Sequence, residues 1–295
     1  RLSRRTIRYR QLNWQRNNFY NAAVEFYNKR EYKDAMMAFA HGAEVIEVSN
    51  ITDTLSLLNA ATCASLANER TSSKEYYLKL LKGNYKSATI YISLSDIYRQ
   101  EKDSTNAIRY VRLGQQVYPN DLRLLLTETN IYLTFNNTEK ALANLQVAKQ
   151  KDTSNYSVFF ALGTIYDNVS NDTTKTVQFR AEAFEKAISS YKDAIRLNNN
   201  YFEANYNLGA LYVNKAAAIN DEANKLPLDA TAQFDRLKKE ADTYLEKALP
   251  YLEKATELQP DDLNTLYSLK QIYARTGKSD KVKVVQEKIN AAPKK

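Results

Sequence analysis

Apolar and small side chains recur along this chain at the spacing of helix faces, and polar turns separate them. After Ala107 one apolar stretch closes at Pro119, a second carries Tyr132, and a polar turn then leads to Ala141. The same order of small residue, proline and tyrosine recurs along the rest of the chain, and the two alanines lie 34 residues apart. A fixed period of this length predicts a repeated pair of helices. The sequence therefore predicts an all-α fold.

The small residues in this pattern have a packing role. Two antiparallel helices approach to roughly 8–10 Å only where small side chains face each other. Glycine and alanine supply those contacts, while tyrosine and leucine fill the flanks. One such hairpin cannot bury both of its faces, so each repeat has to pack on its neighbours.

This pattern resembles the tetratricopeptide repeat (TPR) family, whose unit is a helix A, a tight turn and a helix B. Its most specific marks are the pairs Leu162-Gly163 and Leu208-Gly209, each followed three residues on by tyrosine. The resemblance implies a right-handed α-solenoid of about seven helical hairpins, similar to envelope-associated TPR proteins of bacteria such as the Bacteroidetes. The family's small residue of helix B then falls on Ala35, Ser73, Ala107, Ala141, Ala187, Ala248 and Val282.

The resemblance also implies the domain organisation. A basic arm or capping helix at residues 1–15 precedes a single solenoid over residues 16–295. The repeats are expected at about 16–49, 54–87, 88–121, 122–155, 156–201, 202–262 and 263–293. The fifth and sixth exceed the common length, and in the fifth we expect a polar turn over residues 167–174 followed by a lengthened helix B.

Repeat 6 contains two apolar seams whose members step by three and four residues. The seams are Ala216, Ile219, Ala223 and Leu226, and Phe234, Leu237, Ala241, Tyr244 and Ala248. This spacing is typical of paired helices. It predicts an extended, coiled-coil-like hairpin over residues 215–247 with its turn at Pro227. The hairpin either contacts a second partner or is a length variant that shields an edge.

In TPR proteins the concave groove lined by helix A commonly holds a peptide or a helix. On the matching positions the resemblance implies a protein-binding groove of Tyr20, Asn59, Asn130, Phe160, Tyr206, Asn207, Tyr267 and Gln271. The facing lysines and arginines of the carboxylate-clamp subclass are missing. The lining therefore favours a protein segment held by aromatic stacking and amide hydrogen bonds. The alternative is that several of these side chains only pack between neighbouring repeats.

The net charge of +8 is concentrated at the two ends of the chain. Residues 1–16 contain six arginines, no acid, and the aromatic residues Tyr9 and Trp14. Such an arm can bind phosphates and stack on bases, or lie against anionic lipid. The other interpretation, which we favour, is a capping helix with Ile7, Leu12 and Trp14 packed on repeat 1. The candidate anion-binding residues are Arg4, Arg5, Arg8 and Arg10.

No catalytic, cofactor or metal constellation is expected. Cys63 lies among small apolar residues without a visible base, which predicts a buried structural thiol. His41 has no second histidine or cysteine in reach and is a poor metal ligand. The six glycines all fit helix contacts or repeat ends, which leaves no phosphate-binding loop.

The sequence thus predicts a non-enzymatic scaffold or adaptor that binds a peptide or helical segment of a larger protein complex. Nucleic-acid or anionic-membrane binding through the arm is the alternative. No run approaches the roughly 20 apolar residues of a membrane helix, so we expect membrane association only through the arm or through residues that precede Arg1. The resemblance favours the bacterial periplasm or cell envelope over the cytoplasm.

Overall fold

The computed structural model describes residues 4–292, with side chains from Arg8 onward, and over that range the chain forms helices and no strand. The all-α prediction is confirmed. The helices are α1 (Arg4–Asn28), α2 (Tyr32–Glu47), α3 (Thr54–Leu66), α4 (Arg70–Lys82), α5 (Ala88–Gln100), α6 (Ser104–Val117), α7 (Leu122–Thr134), α8 (Thr138–Lys151), α9 (Tyr156–Asn171), α10 (Val177–Leu197), α11 (Phe202–Asn224), α12 (Thr231–Leu258), α13 (Leu263–Arg275) and α14 (Ser279–Ala291).

These helices form two compact units, an N-terminal unit that ends at Asn144 and a C-terminal unit that begins at Leu145. In the N-terminal unit each of α1 to α6 packs against the helix that follows it, and α5 also contacts α7. In the C-terminal unit α9 to α13 pack in the same way, and α9 contacts α11 and α11 contacts α13. Contacts between the first helices of successive hairpins are how stacked hairpins bury their second face. A continuous array over residues 16–295 stays a prediction.

Most turns from helix A to helix B share one geometry. The residues at the turn with positive φ are Arg30, Asn68, Lys102, Asn136 and Gly277. After each of them an amide bonds back to the last turn of helix A, as from Asn137 N to Tyr132 O at 2.8 Å. This is a Schellman closure of the helix C terminus. In repeats 5 and 6 the corresponding Ser170 and Ala216 are helical, so helix A continues there.

The alanines and the serine predicted at the helix contacts are buried, whereas Val282, which takes this place in repeat 7, is half-buried. Those fully excluded from solvent are Ala35, Ala107, Ala141, Ala187 and Ala248. Ser73, which takes this place in repeat 2, is also buried, and its hydroxyl donates to the Ala61 carbonyl oxygen at 3.1 Å. Its polar group is therefore satisfied inside the core.

Two glycines set very close helix approaches in the C-terminal unit. A Cβ atom at Gly163 would lie 2.5 Å from Cδ1 of Tyr191, and one at Gly209 would lie 2.5 Å from Cγ of Leu252. Tyr191 and Leu252 are both completely buried, so neither can move into solvent. The large side chains occupy the volume that the glycines leave, as a close-packed interior requires.

The long hairpin of repeat 6 is formed by α11 and α12, which are joined by a turn at Pro227. The buried seam residues are Ala216, Ile219, Ala223, Leu237, Ala241 and Ala248. Tyr244 and Leu226 are half-buried against the same core, whereas Phe234 near the tip is 36% exposed. Leu228, in the turn, is fully exposed.

Polar contacts within the hairpin and from α13 stabilise it. The buried Asn220 accepts hydrogen bonds from Arg275 Nη2 at 2.7 Å and from Lys238 Nζ at 3.2 Å. Arg275 Nε also lies 3.5 Å from a carboxylate oxygen of Asp242. One arginine of repeat 7 thus ties both helices of the hairpin to the next repeat.

The turn expected over residues 167–174 of repeat 5 is wrong in its position. Helix α9 continues to Asn171, and the turn lies between it and Val177. Asn171 donates to the backbone oxygen and to Oδ1 of Asp167, and the Ser170 hydroxyl donates to the same backbone oxygen. Both side chains donate to the Asp167 carbonyl in the last helical turn, so residues that often form turns extend the helix here. Both helices of repeat 5 are therefore lengthened.

We expect Gly209→Ala to destabilise the protein by about 1–3 kcal/mol, because the new methyl group overpacks against the buried Leu252. Gly42→Ala is the matched control: its Cβ would meet nothing nearer than 3.5 Å. Alanine should therefore stabilise that helix interior by about 0.5–1 kcal/mol. Urea denaturation followed by circular dichroism measures both. Equal shifts of the two midpoints would contradict this account of the helix contacts.

Candidate functional site

A cavity in the N-terminal unit brings together two of the residues predicted for the groove. Tyr20 of α1 and Asn59 of α3 line a space of about 200 Å³. The full lining, which we call the Tyr20 pocket, is Tyr20, Val24, Tyr27, Phe39, Asn59, Thr62 and Cys63. Small-molecule sites usually measure about 300–1,000 Å³. The Tyr20 pocket is smaller and suits one side chain of a larger ligand.

Contacts from three helices hold the Tyr20 pocket in shape. The ring of Tyr20 meets the ring of Phe39 edge-on with centroids 5.2 Å apart, and its hydroxyl accepts a hydrogen bond from Asn59 Nδ2 at 3.3 Å. The Arg16 guanidinium lies 5.0 Å from the Tyr20 ring centroid, within range of a cation–π contact. Val24 and Tyr27 are 37% and 44% exposed, so an apolar surface faces solvent here.

Cys63 lies against this pocket without being reactive. Its side chain is buried, as the sequence predicted, and burial raises the pKa of the thiol to about 11. The thiolate is the nucleophilic form of cysteine. At neutral pH Cys63 is therefore a neutral packing group.

The third groove residue of the N-terminal unit lies apart from this cavity. Asn130 is exposed on α7 and does not line the Tyr20 pocket. Its backbone oxygen accepts a hydrogen bond from Thr134 Oγ1.

In the C-terminal unit the groove residues remain accessible to different degrees. Phe160 is half-buried, with its ring edge-on to Tyr201 at 5.0 Å. Tyr206 is half-buried and stacks on Phe202, with ring planes 10° apart. Tyr267 is 54% exposed and Gln271 is exposed. We call these four residues together with Asn207 the C-terminal inner face.

A chain of hydrogen bonds connects Asn207 to the interior. Asn207 Nδ2 donates to the Tyr191 hydroxyl at 3.5 Å, and that hydroxyl donates to Thr164 Oγ1 at 3.4 Å. Burial raises the pKa of Tyr191 to about 12. Burial also raises the pKa of Asp167, although the hydrogen bond from Asn171 opposes it. The sequence did not predict a role for Tyr191 beside the groove, because Tyr191 belongs to helix B and the family's groove positions all lie on helix A.

Sequence reasoning also missed a buried carboxylate in α7. Glu128 is 5% exposed and accepts hydrogen bonds from four side chains. The donors are Arg112 Nε at 3.1 Å, Gln115 Nε2 at 3.0 Å, Tyr132 Oη at 2.9 Å and Asn144 Nδ2 at 3.1 Å. A signal for it existed, since Glu128 takes an apolar-face position between the buried Leu124 and Ile131.

The four donors determine the charge of Glu128. Burial alone would raise its pKa, but the hydrogen bonds from Gln115, Arg112, Tyr132 and Asn144 outweigh burial and hold the pKa below its usual range. The network lies beneath an open polar cavity of about 710 Å³. With its acceptor positions filled, Glu128 holds helices together rather than offering a free carboxylate.

From Arg4 onward the basic arm is the first part of one continuous helix, α1. Arg8 and Arg10 are exposed, and so are Tyr9 at 46% and Trp14 at 67%. The expectation that Trp14 packs on repeat 1 is therefore wrong, although Leu12 is half-buried. The side chains of Arg4, Arg5 and Ile7 lie outside the described residues.

The last arginine of this stretch has a structural partner. Arg16 Nε lies 2.6 Å from Oδ2 of Asp53, which also caps α3 by accepting from the Ser56 amide. Hydrogen bonding to Asp53 raises the pKa of Arg16 despite its partial burial. Arg16 therefore belongs to the packing of α1 on α3, unlike the exposed Arg8 and Arg10.

Each helix between residues 4 and 292 is too short or too polar to cross a lipid bilayer. In the same range no three or more His, Cys, Asp or Glu side chains are grouped to hold a metal ion.

Two family profiles match parts of the chain. One described as tetratricopeptide repeat matches residues 88–121, and one described as TPR repeat matches residues 179–215. The first match coincides with α5 and α6, and the second lies across α10 and the start of α11. No curated protein matches the chain.

Solved structures with a similar fold include MamA from residue 41 onward of Desulfovibrio magneticus RS-1. It is 13% identical with a TM-score of 0.50, and the match covers 71% of this chain and 97% of that one. YrrB, described as a TPR protein with an unusual peptide-binding site, is 14% identical with a TM-score of 0.46 over 63% of this chain and 88% of that one. A TPR repeats protein from Bacteroides fragilis NCTC 9343 is 20% identical with a TM-score of 0.36, covering 88% and 98% of the respective chains. At 13% identity the match to MamA concerns the fold alone.

We expect Glu128→Gln to destabilise the protein by about 1.5–3 kcal/mol at pH 7, because it removes a charged acceptor and turns an amide group toward its donors. The folded-state pKa of Glu128 is lowered, so its stabilisation is present above the unfolded-state pKa and is lost as the pH falls through the folded-state value. The difference from wild type should therefore shrink between about pH 5 and pH 3.

Urea denaturation at pH 7 and pH 3 measures this difference. Glu75→Gln, which changes an exposed carboxylate on α4, is the control and should shift neither midpoint. A Glu128→Gln difference of the same size at both pH values would show that the charge of Glu128 contributes no stability.

Proposed function

We propose that this chain, which matches tetratricopeptide repeat profiles over residues 88–121 and 179–215, binds an extended or helical segment of a partner protein through its helix-A side chains. Proteins built from these repeats are generally non-enzymatic scaffolds for protein interaction. The proposal concerns the Tyr20 pocket in the N-terminal unit and the C-terminal inner face in the other. It makes this chain an adaptor rather than a catalyst.

The observation that carries the proposal is the Tyr20 pocket. Tyr20 and Asn59 were each predicted as groove residues from different repeats, and they line one cavity beside the exposed Val24 and Tyr27. The aromatic rings of this pocket can contact an apolar side chain of a peptide. The amide group of Asn59 can form a hydrogen bond with the backbone of that peptide. A cavity of about 200 Å³ accepts one such side chain as an anchor.

The C-terminal inner face supports the same mode of binding through exposed side chains instead of a cavity. Tyr267 presents more than half of its surface to solvent, and Gln271 lies one helical turn further along α13. Tyrosine supplies a large contact area at a low cost in side-chain entropy.

A second partner is proposed to bind outside these two sites, at the exposed turn of the 215–247 hairpin, which has Leu228 at its tip.

A second candidate function is favoured by the exposure of Trp14. With Tyr9, Arg8 and Arg10 also exposed on α1, this helix offers cations beside aromatic rings, which suits a nucleic acid or an anionic membrane. Binding of that kind depends steeply on salt.

Peptides selected from a random library on phage against the whole chain test the first proposal. For peptides anchored in the Tyr20 pocket, Val24→Trp should block the cavity and weaken binding at least tenfold, a loss of about 1.4 kcal/mol. Val147→Trp, which changes another exposed valine on α8, is the matched control and should leave affinity unchanged.

For peptides on the C-terminal inner face, the double change Tyr206→Ala and Tyr267→Ala should cause the large loss of affinity. Phe179→Ala, which changes an exposed aromatic residue on α10, should cause none.

Isothermal titration calorimetry at two salt concentrations separates the two candidate functions. Peptide affinity should survive the double change Arg8→Gln and Arg10→Gln, which leaves Arg16 and its ion pair intact. A single-stranded oligonucleotide or a phosphatidylserine vesicle that binds tightly, and loses affinity in this variant and in high salt, would support the second candidate. Selected peptides that are insensitive to every inner-face substitution would refute the first.

A further inference from the structure

A second cavity lies in the C-terminal unit between the two lengthened hairpins. We call it the hairpin cleft; it measures about 540 Å³ and runs along α10 from its first turn to Glu185. Its floor is the buried Leu211 of α11, and Tyr244 of α12 contributes a wall. The cleft exists because α9, α10, α11 and α12 all extend beyond the ordinary repeat length. It is separate from the C-terminal inner face and shares none of its five residues.

The apolar part of the cleft is a partly exposed aromatic and aliphatic surface. Phe184 meets Tyr244 edge-on at 6.1 Å, and both rings are half-buried. Val177, one turn before Ala181 on the same face of α10, is 74% exposed. A bulky apolar side chain placed here would cover surface that this unit leaves in water.

The polar part contains an unsatisfied donor. Arg180 Nε is buried and has no hydrogen-bond partner within the described part of the chain. Asp172 is close enough for the charge of Arg180 to contribute to its lowered pKa, after the hydrogen bonds from Thr174, but its carboxylate accepts no hydrogen bond from Arg180 Nε. A buried donor without an acceptor is costly, and native structures rarely leave one without a reason.

The charges around Arg180 favour an anion. Lys215 of α11 also lines the cleft, with its ammonium group 5.7 Å from the Phe184 ring centroid. The one acidic residue of the lining is Glu185, whose charge acts on the hydroxyls of Tyr212 and Tyr244. Arg180 lies in the first turn of α10, where the helix dipole adds positive potential. A carboxylate beside Arg180 would pair with a guanidinium, which binds carboxylates in a fixed geometry.

From these contacts we infer that the hairpin cleft binds a partner-protein segment in which an acidic side chain lies next to a bulky apolar one. The carboxylate pairs with the half-buried guanidinium of Arg180, and the apolar side chain packs on Phe184, Tyr244 and Val177. The inference rests on the proposed scaffold function, since the ligand is again a protein segment. It adds a site and a charge preference that the inner faces lack.

The test uses two heptapeptide libraries with blocked ends, one with Asp fixed beside Phe and one with Asn in its place. The best binders of the whole chain are taken from the Asp library, and each is resynthesised with Asn. The wild-type protein should bind the Asp peptides at least tenfold more tightly than their Asn versions. Arg180→Gln should reduce that ratio to within twofold of one, whereas Arg196→Gln, which changes an exposed arginine further along α10, should preserve it.

The apolar contact has its own pair of variants. Phe184→Ala should weaken the Asp and Asn peptides alike, and Phe179→Ala on the same helix should weaken neither, since Phe179 lies outside the cleft. Arg180→Gln should leave the melting temperature of the free protein unchanged or raise it, because the changed donor has no partner to lose. That result excludes misfolding as the cause of a lost preference.

The inference would be overturned if the ratio of Asp-peptide affinity to Asn-peptide affinity were the same in wild type and in Arg180→Gln. It would also be overturned if the binding of every peptide selected from the Asp library were independent of Arg180. Binding of the same peptides that disappears with Val24→Trp but survives Arg180→Gln would also overturn it, while supporting the inner-face proposal. Binding that disappears with Arg180→Gln and survives the inner-face variants supports the cleft even if the inner-face proposal fails.

Discussion

The close approach of helices at glycine and alanine is the constraint on which both units depend. At Gly163 and Gly209 the facing side chain, Tyr191 or Leu252, occupies the place of a Cβ atom. The spacing of these helices therefore depends on residues that cannot be replaced by larger ones without a clash. Interiors packed at this density transmit any added volume to the backbone. Because the small residues fall on the faces that meet, aromatic residues such as Tyr206 and Tyr267 keep part of their surface in water on the remaining face. The proposed recognition thus uses faces of these helices that packing leaves open.

Tyr191 shows how the two are joined. Its ring fills the space beside Gly163, whereas its hydroxyl reaches Thr164 and Asn207, which belongs to the C-terminal inner face. A change at a helix contact would therefore also move the polar groups offered to a ligand. Glu128 also links several helices, but its role is only structural. Its four donors come from α6, α7 and α8 and keep the carboxylate charged within the N-terminal unit. Buried polar groups of this kind stabilise only when all of them are satisfied.

The helices, the buried alanines and the long repeat 6 hairpin were predictable because they depend on local periodicity. Each of Ala107, Ala141 and Ala248 is buried because a 3.6-residue period and a fixed repeat length determine which face it occupies. The end of α9 was misjudged, since side-chain hydrogen bonds from Ser170 and Asn171 continued the helix through polar residues. Trp14 was misjudged because nothing local tells whether a neighbour covers it. The Tyr20 pocket was predicted in part, through Tyr20 and Asn59. The hairpin cleft was not, because its lining comes from four helices and from the lengths of two insertions.

Hydroxyl-radical footprinting with mass spectrometry, on the free chain and on its complex with a selected peptide, tests the central claim most directly. In the free protein Tyr267 and Tyr27 should be oxidised readily and Tyr191 should not, in keeping with their exposure. With the peptide bound, oxidation should fall at Tyr27 or at Tyr267 and stay unchanged at Trp14. Protection of Trp14 without protection of either tyrosine would contradict the account, because the ligand would then lie on the basic start of α1 and not on the face that the helix contacts leave open.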